Sequence, residues 1–99
     1  MTRRDGIAEA RDQERVFRAL AHPARRHVLM VLRARGDRVT AGDIARRFAH
    51  SWPTTTRHLR VLEEAGLVRV EKEGRERVYH LEAERLRGVV GSWLGHFGP

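Results

Sequence analysis

The chain has no cysteine, so disulfides, thiolate metal sites and thiol-based redox sensing are excluded. Lysine is almost missing, because every basic residue except Lys72 is arginine. Long apolar runs are missing as well. The longest aliphatic stretch is VLMVL at residues 28–32, far short of a membrane span. The opening MTRRDGIAEARDQERV lacks an apolar core and a cleavage signature, so it does not read as a signal peptide, and a cytoplasmic protein is expected. No internal repeat, low-complexity tract or linker interrupts the chain. Catalytic patterns are absent too. Ser51 has no nucleophile-elbow glycines around it, no glycine-rich phosphate loop occurs, and Asp43 and Glu63 lack an acid/base partnership. Neither an enzyme nor a cofactor is expected.

Positive charge is what the chain has in excess. Lys and Arg number 20 against 13 Asp and Glu, a formal net charge of +7 with a sequence pI near 11.4. Such a balance points to an anionic partner, usually nucleic acid. Charge alone does not separate DNA from RNA or from an anionic membrane. Arginine suits bidentate contacts to guanine and phosphate, although a GC-rich genome also favours arginine codons. The 99 residues suit a single domain over residues 1–99. A chain of this size buries roughly two-thirds of its unfolded surface, so it folds alone but gains from oligomerising.

The stretch SWPTTTRHLRVLEEAGLV at residues 51–68 organises the rest. Ser51 can cap a helix, and Pro53 is tolerated in the first turn because its amide would have no partner there. The start has a second solution, in which Trp52 is the last non-helical residue because it precedes proline. Leu59, Leu62 and Ala65 form an apolar stripe at helical spacing, and Gly66 supplies the left-handed stop. The opposite face carries Thr54, Thr56, Arg57 and Arg60, short hydroxyls and long guanidiniums suited to a DNA major groove. An ordinary amphipathic helix with a solvated basic face would look the same. The neighbours decide the reading. Residues 39–50, VTAGDIARRFAH, form a short helix capped by Thr40, with Asp43 three residues on and Ile44, Ala45 and Phe48 as its buried stripe. About three residues separate the two helices, which is helix-turn-helix spacing. Residues 68–81, VRVEKEGRERVYHL, alternate on both sides of Glu73, Gly74 and Arg75 and read as a β-hairpin. Together these make a mainly α fold with a small β-hairpin wing, a winged helix-turn-helix of five helices.

Around this unit, a polar start to Glu9 is expected to fray, and a first helix spans Ala10 to Ala21 with Val16, Phe17 and Leu20 on one face. His22 and Pro23 break it. The second helix runs to Arg35 with Val28, Leu29 and Leu32 as its apolar face, the centre of the core. Gly36 and Asp37 end it, and Val39 forms a one-rung strand beside the hairpin. The last segment, residues 82–97, places Leu86, Val89, Val90, Trp93, Leu94 and Phe97 at helical spacing. Gly88, Gly91 and Gly95 each cost about 1 kcal/mol in an isolated helix. Packing must therefore hold this helix, and glycines allow another helix to come close.

The pieces ALAHPARRHVLMVL, DIARRF, TTTRHLRVLEEAGLV and GRERVYHL, in that order across most of the chain, resemble the ArsR/SmtB family of winged-helix repressors, and among them the members without metal-binding cysteines. The resemblance implies a homodimeric repressor on a palindromic operator in double-stranded DNA. It implies a dimer interface through the first and last helices, placing Val16, Phe17, Leu20, Leu86, Val89, Val90, Trp93, Leu94 and Phe97 there, although the last helix could instead pack on its own domain. DNA contacts are expected from Trp52, Thr54, Thr56, Arg57, His58 and Arg60 of the recognition helix and from Lys72, Arg75 and Arg77 of the wing. Arg57 is expected to read bases and Arg75 to meet phosphate; Arg60 could reach only phosphate, and His58 is either structural or a phosphate contact. Trp52 either packs on a thymine methyl or staples the helix start to the core. Many relatives carry Gln at Trp52 and an apolar residue at Thr55, so base preference is not carried over.

Metal sensors of this family that use the last helix bind through Asp/His and His/Glu pairs. Here that helix offers only Glu82, Glu84 and His96, with Pro99 in the place of the terminal Glu. His22, His27, His50 and His80 show no i, i+4 pairing. No metal site is expected, although a titrating His near the dimer seam is compatible with the sequence. The rival readings are a metal sensor of the same fold, a winged-helix protein-interaction module and an RNA-binding winged helix.

Overall fold

The computed structural model describes residues 5–36, 39–48 and 51–99; Asp37 and His50 lie outside them. The first helix, α1 (Asp5–Leu20), starts five residues before the expected Ala10. The polar stretch to Glu9 is thus helical from Asp5, contrary to the fraying expected of it. Tertiary anchors account for the difference. Glu9 accepts a hydrogen bond from Ser92 Oγ at 2.7 Å, and Asp12 meets Arg85 at 3.3 Å. Both partners lie more than seventy residues away, so local helix propensity could not reveal them.

His22 keeps the extended conformation that a following proline imposes (φ −108°, ψ 127°), and its Nδ1 accepts from the Ala24 amide as the cap of α2 (Pro23–Arg35). The α1 carbonyls left open by this break are taken by arginines of α2. Arg25 donates to Ala19 O and Arg18 O, and Arg26 donates to Leu20 O. These two guanidiniums bind helix ends, a favourable placement for cations.

Strand β1 (Val39–Thr40) has two residues, one more than expected, and pairs with the hairpin. Thr40 also caps α3 (Ala41–Arg47). Its Oγ1 accepts from the Asp43 amide, and the Asp43 carboxylate accepts from the Thr40 amide, the expected capping box. The second helix of the pair is α4 (Trp52–Glu64), with Ser51 as cap and Trp52 as its first residue, which settles the two solutions for its start. It ends as a Schellman motif. The Leu67 amide donates to Leu62 O and the Gly66 amide to Glu63 O, while Gly66 takes φ 77°.

The wing consists of β2 (Val68–Glu73) and β3 (Glu76–Leu81), antiparallel, in the sheet order β1-β3-β2. Gly74 adopts φ 65° at the first turn position, as a two-residue hairpin turn requires. The last helix, α5 (Ala83–Leu94), stops three residues before Phe97 and finishes in a 3-10 turn, Gly95–Phe97.

The core gathers Val16, Leu29, Leu32, Ile44, Leu59, Leu62, Leu67 and Tyr79 from every layer. Each fully buried aliphatic side chain contributes about 1.5–3 kcal/mol. Val16 is 0% exposed, so the structure removes it from the expected dimer seam: it lies in the chain's own core.

Candidate nucleic-acid interface

The cap of α4 sets the geometry of the reading face. Ser51 Oγ accepts from the Thr54 amide at 3.2 Å and donates to Thr54 Oγ1 at 3.0 Å. Thr54 is therefore half-buried and tied to the cap, with its own hydroxyl proton left to donate. Thr56, Arg57 and Arg60 follow on the exposed face. Among the described residues, neither Arg57 nor Arg60 has a hydrogen bond or ion pair. Two unpaired guanidiniums on one open helix face contrast with Arg25, Arg26 and Arg85, whose donors are spent on helix carbonyls.

The side of α4 turned to the core carries Leu59, Leu62, Thr55 and His58. His58 is 8% exposed, its ring 4.4 Å from that of His22 and its Nδ1 3.3 Å from the Arg25 guanidinium. It sits apart from Arg57 and Arg60, at the α1–α2–α4 joint, in the structural place rather than on the open face. Thr55 is 4% exposed, and its hydroxyl has no hydrogen-bond partner. It packs as the isosteric valine would.

The wing is divided by sign. In the register, Lys72 faces Arg77 directly, while Glu73 faces Glu76 and Glu71 faces Val78. Alternation then puts Lys72 and Arg77 on one face with Val70 and Tyr79, and Glu71, Glu73 and Glu76 on the other. Opposed like charges destabilise a hairpin, so the Lys72–Arg77 pair gains from an anion laid against it. Burial pushes the Tyr79 phenol above its usual 10, so it keeps its proton. On the acidic face, Glu71 is held by Arg69 at 3.2 Å and by His80 at 2.8 Å. The turn residue Arg75 is exposed.

The first helix of the pair is stiffened by its capping box. The Thr40 amide holds the Asp43 carboxyl below 3.8, with help from the Thr40 hydroxyl and Arg46. A cleft of about 350 Å³ opens between the wing and the helix pair, lined by Thr40, Gly42, Trp52, Arg75, Glu76 and Arg77. Trp52 is 56% exposed, so it does not staple the helix start to the core. Nothing in the residue pattern announced this cleft, because its walls are more than twenty residues apart.

A family model described as a helix-turn-helix domain matches residues 20–71. The transcriptional repressor SdpR of Bacillus subtilis is 34% identical over 83% of this chain and 88% of its own length. A crystal structure of an ArsR family transcriptional regulator superposes with a TM-score of 0.79 at 34% identity, covering 88% of this chain and 87% of that one. This chain belongs to the ArsR/SmtB family. The homodimeric winged helix-turn-helix DNA-binding domain of a possible ArsR-family regulator from Mycobacterium bovis gives 0.73 at 26% identity, over 95% and 84% of the two chains. A Staphylococcus aureus homologue of the cadmium resistance regulatory protein is 32% identical over 80% of this chain, which spans only 64% of that protein.

The helix pair is α3 and α4, and the wing is β2 and β3. No helix among the described residues is long and apolar enough to cross a membrane. Nor do three or more His, Asp or Glu side chains gather among them to hold a metal ion. His96 is exposed in the closing 3-10 turn, whereas Glu82 sits before the start of α5, where Arg69 approaches it at 3.6 Å.

The other expected seam residues differ in their surroundings. Phe17 meets Trp93 edge-on at 5.2 Å within the same chain, so α5 does pack on its own domain in part. Leu20, Leu86, Val90 and Leu94 line an apolar groove of about 570 Å³ over Leu29 and Met30 of α2. Val89 is half-buried against the core. Trp93, Leu94 and Phe97 remain 40%, 54% and 68% exposed.

Proposed function

We propose that this ArsR-family protein is a cytoplasmic homodimeric repressor that reads a palindromic operator in double-stranded DNA without a bound metal. The observation that carries the reading is the pair of unpaired guanidiniums, Arg57 and Arg60, on the open face of α4, with Lys72, Arg75 and Arg77 exposed on the wing. Recognition helices meet base edges with their first turns, which assigns Thr56 and Arg57 to the major groove and leaves Arg60 nearer the phosphates. Lys72, Arg75 and Arg77 then meet the backbone, where contacts position the protein without reading sequence.

Two-fold association is supported by what a single chain leaves unexplained. Exposed Trp93, Leu94 and Phe97 continue an apolar groove that Leu20, Leu86 and Val90 line. A Cβ placed on Gly88, Gly91 or Gly95 would meet nothing within 4 Å, so these glycines serve no close contact inside the chain. The Mycobacterium bovis neighbour is itself described as homodimeric. A two-fold dimer implies half-sites about one helical turn apart on the DNA.

The metal-sensing alternative has less behind it, because the chain has no cysteine and, among the described residues, acidic and histidine side chains do not cluster to hold a metal ion. Selection of bound duplexes from a random library, followed by binding across a salt series, tests the proposal. A palindromic consensus with strongly salt-dependent affinity is expected, unchanged by Zn, Ni or Co. Absence of enrichment would refute the DNA assignment, and stoichiometric metal binding that releases DNA would refute the metal-independent one.

A further inference from the structure

We propose that the cleft between Trp52 and the wing grips one sugar–phosphate strand, with the Trp52 indole against a deoxyribose, and that this contact makes the protein select DNA over RNA. The proposal rests on the DNA reading above. Three observations point to it. The first is exposure: Trp52 is an aromatic residue at the start of α4 that is 56% exposed. The second is the architecture of the cleft. Trp52, Thr40 and Gly42 form one wall, contributed by the helix pair, and Arg75 and Arg77 form the other, contributed by the wing. An element in the major groove and an element reaching the adjoining minor groove are separated by one backbone strand, and the space between the two elements is where that strand must run. The third is the chemistry of the lining. Two guanidiniums against the single carboxylate of Glu76 leave the cleft positive.

Within a strand, phosphates suit Arg75 and Arg77, while the indole face offers no hydrogen-bond acceptor or donor to them. The apolar part of the strand is the C–H face of the sugar. A base contact fits less well, because neither Arg57 nor Arg60 lines this cleft. Trp52 instead borders the cleft with the wing residues Arg75, Glu76 and Arg77. A ribose at the same place would set its 2′-hydroxyl against the ring, where the hydroxyl loses water without gaining a partner. The 2′-hydroxyl is the group by which a protein distinguishes the two nucleic acids at a given site.

The test uses a duplex selected by the wild-type protein. A single ribonucleotide is moved through every position of that duplex, and binding is measured for wild type, Trp52→Ala, Trp52→Phe and Arg75→Ala. One position in each half-site is expected to weaken wild type several-fold. Trp52→Ala should bind the all-DNA duplex about tenfold more weakly, with an unchanged salt slope, and should be indifferent to the ribonucleotide. Trp52→Phe should keep the discrimination. Arg75→Ala should flatten the salt slope by about 0.9 per arginine removed. The proposal is overturned if the ribonucleotide is tolerated everywhere, or if Trp52→Ala binds as tightly as wild type. It is equally overturned if the effect of Trp52→Ala is reproduced by replacing a thymine with uracil, which would mark a base contact. A wild type that binds no duplex overturns this proposal and the DNA reading together; one that reads an operator yet tolerates ribose overturns this proposal alone.

Discussion

The face built from α4 and the wing and the face built from α1 and α5 are held together in opposite ways. On the first, organisation is local. Ser51 caps α4, Thr40 and Asp43 cap α3 reciprocally, Gly66 stops α4 and Gly74 turns the hairpin. Each device spans a few residues, and the open arginines sit on elements already fixed by such devices. On the second, organisation is remote. Asp12 meets Arg85, Glu9 meets Ser92, and Phe17 meets Trp93, all across about seventy residues or more. The lesson concerns arginine. The same residue type is exposed and unpaired at Arg57 and Arg60 and a structural clamp at Arg25, Arg26 and Arg85, and only tertiary structure separates the two.

The sharpest way to break this contrast is to attack the remote face and read the effect on the other. Trp93→Asp sets a charge in the open apolar edge. It should yield monomers in sedimentation and lower operator affinity about a hundredfold or more, since the two half-sites then lose their linkage. Dimers with full affinity would show that the two faces are uncoupled.

The next contrast lies in the stop of α4. Gly66 holds φ 77°, and the position of an added Cβ is 3.0 Å from Arg85 Nε, the guanidinium that also donates to Ala65 O. Gly66→Ala should therefore cost about 1–2 kcal/mol of stability, measured by denaturant unfolding. An unchanged midpoint would mean that the junction of α4, α5 and α1 yields easily.

Legibility in the sequence followed the same division. The helix pair, both caps, the Gly66 stop and the hairpin were readable because each rests on contacts within a few residues. Even there, Asp43 stood in for the usual Glu of a capping box and still closed it. The start of α1, the in-chain use of Val16 and Phe17, and the roles of Arg25, Arg26 and Arg85 were not readable. Helical periodicity shows that a face is apolar without showing which surface covers it. His58 illustrates the limit. Its place in the reading helix was evident, but only its 4.4 Å approach to His22 put it on the buried side.

A smaller effect should come from the inner side of α4. The Thr55 hydroxyl is buried without a partner, and Thr55→Val exchanges it for a methyl group of the same shape. A gain of about 1 kcal/mol is expected, with operator binding unchanged because Thr55 does not face the DNA. A loss of stability would reveal an unseen partner for the hydroxyl.

The smallest effect concerns acid. The Asp43 carboxyl titrates below 3.8 in the folded chain. Its contribution is therefore complete above that value and fades as pH falls through the lower folded one. Asp43→Asn should flatten this part of the acid-stability curve while lowering stability near neutrality. A variant with the same curve as wild type would remove Asp43 from the account.

The claim at the centre is that the open face of α4 reads bases while the wing holds backbone. It is tested most directly by measuring Arg57→Ala and Arg75→Ala on the selected operator and on scrambled DNA across a salt series. Arg57→Ala should lose about 1–3 kcal/mol per half-site on the operator and little on scrambled DNA, relaxing preference at one position. Arg75→Ala should weaken both DNAs alike and flatten the salt slope. Equal loss on both DNAs for Arg57→Ala would contradict the account.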